Sequence, residues 1–207
     1  SMVLLKNDGD VLPLPKSGQK IALIGPFADD CDNLEGCWSL FGDKRIQVNL
    51  ADGLRAAMDD CDDLLVAPGC GFEDAIEGGM EAALAAANQA DVVLLAVGEP
   101  QNYSGEAQSR NQIVLPAVQQ ALAEVIAATG KPVVVLLRNG RALALEGAVR
   151  DADAIVVTWF LGSQTGTAVA DVVFGDFNPC GKLPVSFPSL VGQQPLYYNR
   201  ARSGRPE

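Results

Sequence analysis

Histidine is absent from all 207 residues. That excludes a Ser–His–Asp triad and any imidazole base, because the side chain that titrates near neutrality is not available. It also removes the commonest nitrogen ligand of zinc. The five cysteines, Cys31, Cys37, Cys61, Cys70 and Cys180, follow no zinc-ligand spacing, so no metal site is expected. Their odd number argues against a complete disulfide framework, and they read as free, small, apolar side chains. Cationic residues are scarce: 15 Lys and Arg stand against 26 Asp and Glu, for a net charge of −11. Such a chain does not neutralise phosphates, which argues against nucleic acid as a partner. The basic "NRARSGRPE" at the end is too short to reverse that balance. No apolar run reaches about 18 residues, so no membrane-spanning helix is expected. No signal peptide is apparent, and the opening Ser1-Met2 reads as a cloning remnant ahead of an excised domain. No GxGxxG follows a strand, and "GDFNPCGKL" fails the phosphate-loop spacing, with Leu183 where Ser or Thr would hold magnesium. No cofactor is implied.

What is present is alternation. "KIALIG", "DLLVAPG", "DVVLLAVG", "PVVVLLRNG" and "DAIVVTWF" are short apolar runs closed by Gly or aromatic residues, and they read as strands. Between them lie helical stripes. Asn49 caps one carrying Leu50, Leu54, Ala57 and Met58. A second is expected over Asp74–Ala90, with Ile76, Met80, Ala83, Leu84 and Ala87 inward. A third follows Pro116, with Val118, Leu122, Val125 and Ile126, and a last one carries Val169, Val172 and Val173 and stops at Gly175. Apolar strands alternating with amphipathic helices define an α/β fold. The expected form is one domain over 1–207, a three-layer α/β sandwich with a mostly parallel sheet of about five or six strands. The two ends differ from the rest. "LLKNDGDVLPLPKSGQ" reads as an extended lead-in, and the Pro-rich "FNPCGKLPVSFPSLVGQQPLYYN" as a wrapping tail whose "KLPVSF" would add an edge strand.

In open α/β sheets ligands collect at the carboxyl ends of the strands. The loop after "KIALIG" holds "NLEGCWSLFGD" with Trp38, and the loop after "DVVLLAV" holds "GEPQNYSGEAQSR" with Glu99 and Glu106. Both fall on one edge. An aromatic platform beside a carboxylic acid suits a sugar: the ring stacks on the apolar face of a pyranose, and the carboxyl handles its glycosidic oxygen. Glu99, directly after the strand, is expected to be structural, accepting bonds from loop amides. Asp29 and Asp30 are the nearest rival carboxylates but carry no motif. Read without further context, Glu106 could equally be a solvated loop residue and Trp38 a partly buried aromatic.

The segments "VLLKNDGDVLPL", "KIALIGPFAD", "EGCWS", "ATGKPVVVLLRNGRALAL", "DAIVVTWFLGSQTGTAVADVVFGDFNPCGKLPVSFP" and "VGQQPLYYN" together resemble the second domain of glycoside hydrolase family 3, of the bacterial β-glucosidase type. The resemblance runs in order from Val3 to Pro206 and departs from the usual pattern at Cys37, Gln164-Thr165 and Cys180. It implies a retaining β-glycosidase that hydrolyses terminal β-linked glucosyl residues. An N-terminal barrel domain, not within these residues, would be the partner and would supply an aspartate nucleophile. Glu106 in "YSGEAQSR" then matches the general acid/base on the loop after the third of these strands. Trp38 in "EGCW" matches the tryptophan at the leaving-group subsite. Trp38 and Arg110 are the candidate substrate contacts, and Arg110 and Arg138 could orient the acid or face the barrel. The implied substrates are oligosaccharides and aryl or alkyl β-glycosides, with no nucleic acid and no membrane as partner. The implied compartment is periplasmic or extracellular. The competing reading is a non-catalytic module that binds a carbohydrate or a partner.

Overall fold

A computed structural model describes residues 1–199; the basic stretch at the end lies, beyond Asn199, outside the described residues. Strand β1 (Val3–Asn7) is followed by β2 (Ile21–Ile24), helix α1 (Leu50–Ala57), β3 (Leu64–Ala67), α2 (Gly79–Gln89), β4 (Val92–Gly98), α3 (Ala117–Ala127), β5 (Val133–Arg138), α4 (Gly147–Asp151), β6 (Ala154–Val157) and α5 (Thr165–Val173). The six strands form one sheet in the order β1-β6-β5-β4-β2-β3. All neighbours are parallel except β1, which runs antiparallel to β6.

Successive strand side chains point to opposite faces, and both faces are apolar. Ile21, Leu23, Leu94, Ala96, Val134 and Leu136 join α1 and α5 in one buried cluster. Ala22, Ile24, Val93, Leu95, Val97 and Val135 join α2, α3 and α4 in the other. This is the three-layer sandwich expected from the strand runs: a strand buried on both sides cannot alternate with polar residues. Helix α1 starts where the sequence predicts, with the Asn49 side chain accepting from Asp52 N at 2.8 Å.

Three local expectations are corrected. Helix α2 begins at Gly79 rather than Asp74, because Gly78 takes the left-handed backbone (φ 70°) that turns the chain into it. Its inner face is Gly79, Ala83, Ala86 and Ala87, while Ile76 and Leu84 stay exposed. In α3 the fully buried polar residue is Gln119, and Val125 is only half-buried. "KLPVSF" forms no strand; the free edge of β6 is taken by β1, from the segment read as a lead-in. Pro184 has no N–H to donate to a ladder, whereas β1 supplies one at each residue. Leu183 and Phe187 pack on the core as side chains instead.

Candidate active-site rim

The topology puts a crevice at one place. From β2 the chain moves outward to β3 through α1, on one face of the sheet. From β4, the neighbour of β2, it moves the opposite way to β5 through α3, on the other face. Adjacent loops that part to opposite faces leave a cleft at the strand carboxyl ends, where α/β sheets bind ligands. The loops after β2 and β4 are the two that carry Trp38 and Glu106. Because β1 precedes the predicted strands, the Glu106 loop follows the fourth strand of the chain.

The two loops interlock. Gly105, at φ 111°, lies so close to the other loop that a Cβ there would come within 2.9 Å of Cys37 Sγ and 3.8 Å of Trp38 Nε1. Between them is an open hollow of about 520 Å³, lined among others by Trp38, Glu106, Cys37, Gln101, Lys44 and Glu35. Trp38 is 69% exposed, and beside it Leu40 and Phe41 are 84% and 98% exposed.

The hollow holds more carboxylates than the motifs suggest: Asp32 and Glu35 line it together with Glu106. They differ in their bonding. Asp32 is paired with Lys44, which raises the lysine's pKa. Glu35 accepts from Ser39 Oγ and, at 3.1 Å, from Gln47 Nε2. Glu106 is exposed and, among the described residues, has neither a hydrogen-bond nor an ion-pair partner. The rivals Asp29 and Asp30 are committed elsewhere. Asp29 accepts from Asn49 Nδ2 at 2.9 Å. Asp30 accepts from Arg138 Nη1 at 3.1 Å and from Asn33 N at 3.0 Å.

Buried polar struts tie this rim to the sheet. Arg138, the last residue of β5, is 2% exposed and lies 4.6 Å over the Phe27 ring. Burial pushes its guanidinium down from the usual value, and Asp30 opposes that. Asn33, held by Asp30, accepts from Gln101 N at 3.0 Å and so joins the two loops. Gln119 of α3 clamps the end of β4, accepting from Gly98 N at 2.8 Å and donating to Gly98 O at 3.0 Å. Glu99 is fully buried. Its partners are guanidinium groups rather than the loop amides expected: Arg141 Nε at 3.1 Å from Oε2 and Arg110 Nε at 3.7 Å from Oε1. Burial pushes the Glu99 carboxyl up, while Arg141 and then Arg110 pull it back.

Arg110 does not line the hollow. It stacks over the Tyr103 ring at 4.1 Å and reaches Glu73 at 3.7 Å on the other side of the loop. The residue that sequence reasoning missed is Arg141. The signal was present: Glu99 directly follows a strand apolar on both faces, a carboxylate buried there needs a cation, and the adjacent strand β5 is followed by "NGR".

The fold and rim define the class, an α/β sandwich domain presenting an aromatic and a free carboxylate at a topological switch point. The sequence profile described as "Glycosyl hydrolase family 3 C-terminal domain" matches residues 2–207, and the chain belongs to that family. It is 43% identical, over its full length, to a protein named periplasmic beta-glucosidase from Salmonella typhimurium, and covers 29% of that protein. It is 39% identical to a beta-xylosidase from Formosa agariphila, with 96% of this chain and 28% of the other covered. Among solved structures, a beta-glucosidase from Listeria innocua superposes on all of the chain with a TM-score of 0.91 at 40% identity, and 28% of that enzyme is covered. A GH3 beta-glucosidase from Bifidobacterium adolescentis superposes with a TM-score of 0.81 at 34% identity, with 94% of this chain and 28% of that one covered. The chain therefore spans under a third of the length of these relatives.

Proposed function

We propose that the chain is the second domain of a retaining β-glycosidase of β-glucosidase type, closing a site shared with a preceding barrel domain. The observation that carries this reading is that Glu106 is the hollow's unpartnered carboxylate, on the switch-point loop beside exposed Trp38. A general acid must reach the departing oxygen, and a carboxylate already bound to a cation or amide cannot do so freely. In this reading the barrel's carboxylate attacks the anomeric carbon while Glu106 protonates the glycosidic oxygen. The leaving group departs over Trp38. Glu106, now ionised, then takes a proton from the water that hydrolyses the glycosyl-enzyme. Retaining chemistry sets the two carboxyl groups about 5–5.5 Å apart, so this chain alone is expected to show no turnover. Trp38 serves as the sugar platform, and Arg110 supports the loop from behind. The likeness to a periplasmic beta-glucosidase supports work in the periplasm or outside the cell, which fractionation of the source cells would test.

The test is Glu106→Ala in the two-domain enzyme. Loss of kcat/KM is expected to be about 10²–10⁴-fold for poor leaving groups and small for activated aryl glucosides, with azide restoring turnover as the glycosyl azide. Equal losses on all substrates, with no effect of azide, would assign the acid/base to the barrel and leave this chain a non-catalytic module.

A further inference from the structure

The segment that carries Glu106 is cinched at its neck by one side chain for which the proposed reaction has no use. Arg141, in the loop after β5, donates from Nε to Glu99 Oε2 at 3.1 Å. From Nη2 it donates to the Gln108 carbonyl at 3.0 Å and to the Tyr103 carbonyl. Tyr103 and Gln108 bracket the four residues 104–107, and Glu106 lies between them. We infer that Arg141, anchored by Glu99, is the positioning residue that sets where Glu106 stands. This rests on the reading of Glu106 as the acid/base.

The anchor is rigid. Glu99 follows β4 directly, is fully buried, and its N–H donates to the Arg138 carbonyl at 2.8 Å, which carries the sheet ladder one residue further. Its carboxylate is thus fixed to the centre of the sheet, and the guanidinium transmits that position to the neck of the loop. The bracketed segment is closed by one backbone hydrogen bond of its own, Gln108 N to Gly105 O at 3.3 Å, and Ala107, which is not glycine, has φ 61°. A left-handed conformation at such a residue persists only where the surroundings over-determine it. A second arm acts on the same neck: Arg110 stacks on the Tyr103 ring at 4.1 Å and stands 3.7 Å from the other Glu99 oxygen. Tyr103 is therefore held by its carbonyl and by its ring, through two cations that share one buried anion. The bonds leave from two nitrogens of one rigid plane, Nε to Glu99 and Nη2 to Tyr103 and Gln108; lysine has three donors but all on one nitrogen of a flexible stem, and does not reproduce that spread.

The experiment compares Arg141→Lys with wild type and Glu106→Ala in the two-domain enzyme. The substrates are methyl β-glucoside, a poor leaving group, and 2,4-dinitrophenyl β-glucoside, an activated one. Active-site titration fixes the concentration of folded enzyme. Misplacing the acid without removing it is expected to cost about 10–100-fold in kcat/KM on the methyl glycoside. On the dinitrophenyl glycoside, which needs no proton, the cost is about threefold or less. A residue that only supports the fold lowers both substrates by one factor, so the ratio is the readout. Equal losses in Arg141→Lys, with the selective loss intact in Glu106→Ala, overturn the positioning role alone. Equal losses in Glu106→Ala as well overturn the acid/base reading and this inference with it. Should Arg141→Lys not accumulate folded, Glu99→Gln gives the same readout, because it keeps the shape and removes the charge that anchors the guanidinium.

Discussion

The body of the sheet and its carboxyl-end rim are held by different forces. Every residue of β4 and β5 is buried, and Leu94, Val134 and Leu137 are wholly inaccessible to water. Helices pack on both faces, so the body is self-sufficient and owes its stability to apolar burial. Beyond the strand carboxyl ends, the rim exposes Trp38, Leu40 and Phe41 in the loop after β2 and puts left-handed backbone at Gly105 and Ala107 in the loop after β4. Its loops are rooted by a few buried apolar side chains, Phe27, Ala28 and Leu34 after β2. Buried charges and amides at the strand ends add directed ties: Arg138 to Asp30, Glu99 to Arg141, Gln119 to Gly98. Apolar packing is non-directional and forgiving; hydrogen-bonded charge is directional. The body uses the first to exist, and the rim uses the second to place a few atoms.

The largest expected effect falls where the two regions join. Asp30→Ala removes the ion-pair partner of Arg138, whose side chain is 2% exposed. An orphaned buried charge costs about 3–5 kcal/mol, read as a lower midpoint in urea unfolding. A loss under about 1 kcal/mol would mean that the strut is not rigidly buried and that the rim floats free of the sheet. Next comes a pure body substitution. Leu94→Ala, at 0% exposure in the middle of β4, is expected to cost about 2–5 kcal/mol through lost transfer energy and the cavity left behind. Trp38→Ala should change the stability of this chain by no more than about 0.5 kcal/mol, as at other exposed sites, although it removes the largest side chain of the rim. In the two-domain enzyme the same change should weaken productive binding of glycosides with bulky leaving groups. A large destabilisation of the isolated chain would show that Trp38 belongs to the body.

The same division explains what could be read in the sequence. The five parallel strands were legible because burial on both faces leaves unbroken runs such as "DVVLLAV" and "PVVVLL". The Asn49 cap was legible because its mechanism is local. Strand β1 was not: it pairs on one side only, ends in Lys6-Asn7, and shifts register between Leu4 and Lys6, so it lacks a core strand's pattern. The start of α2 was obscured because Ile76 and Met80 imitate helical spacing across the Gly78 turn. At the site, strand-end position put the Trp38 and Glu106 loops on one edge, the resemblance singled those two residues out of them, and both line one hollow. Gln119 was not legible, and Arg141 was legible only by pairing two distant stretches, Glu99 after β4 and the "NGR" after β5. Their importance comes from partners 42 and 21 residues away, and one looks like a surface charge while the other interrupts an apolar stripe.

The smallest effect is also the most local reporter of the two regions. Cys70 is buried, whereas Cys37, on the rim beside Trp38, is exposed, as are Cys61 and Cys180; Cys31 is intermediate. The thiolate is the reactive form, and burial pushes the Cys70 thiol up from 9.0 to about 11. At pH 8 a thiol reagent should therefore label Cys37, Cys61 and Cys180 quickly, Cys31 more slowly, and Cys70 only after denaturant is added. The same shift couples to folding. Between pH 9 and about 11 the unfolded chain releases the Cys70 proton while the folded chain keeps it. The folded state then binds more protons, so stability falls as pH rises through that window and is unaffected by this group below it. Lysines and tyrosines titrate in the same range, so the measurement is the difference between wild type and Cys70→Ala in urea midpoint at pH 8 and pH 10.5. Wild type should lose more on going to the higher pH. If Cys70 instead labels as fast as Cys37 in the native chain, the turn after β3 opens as readily as the rim, and the boundary between body and rim must be drawn inside β3.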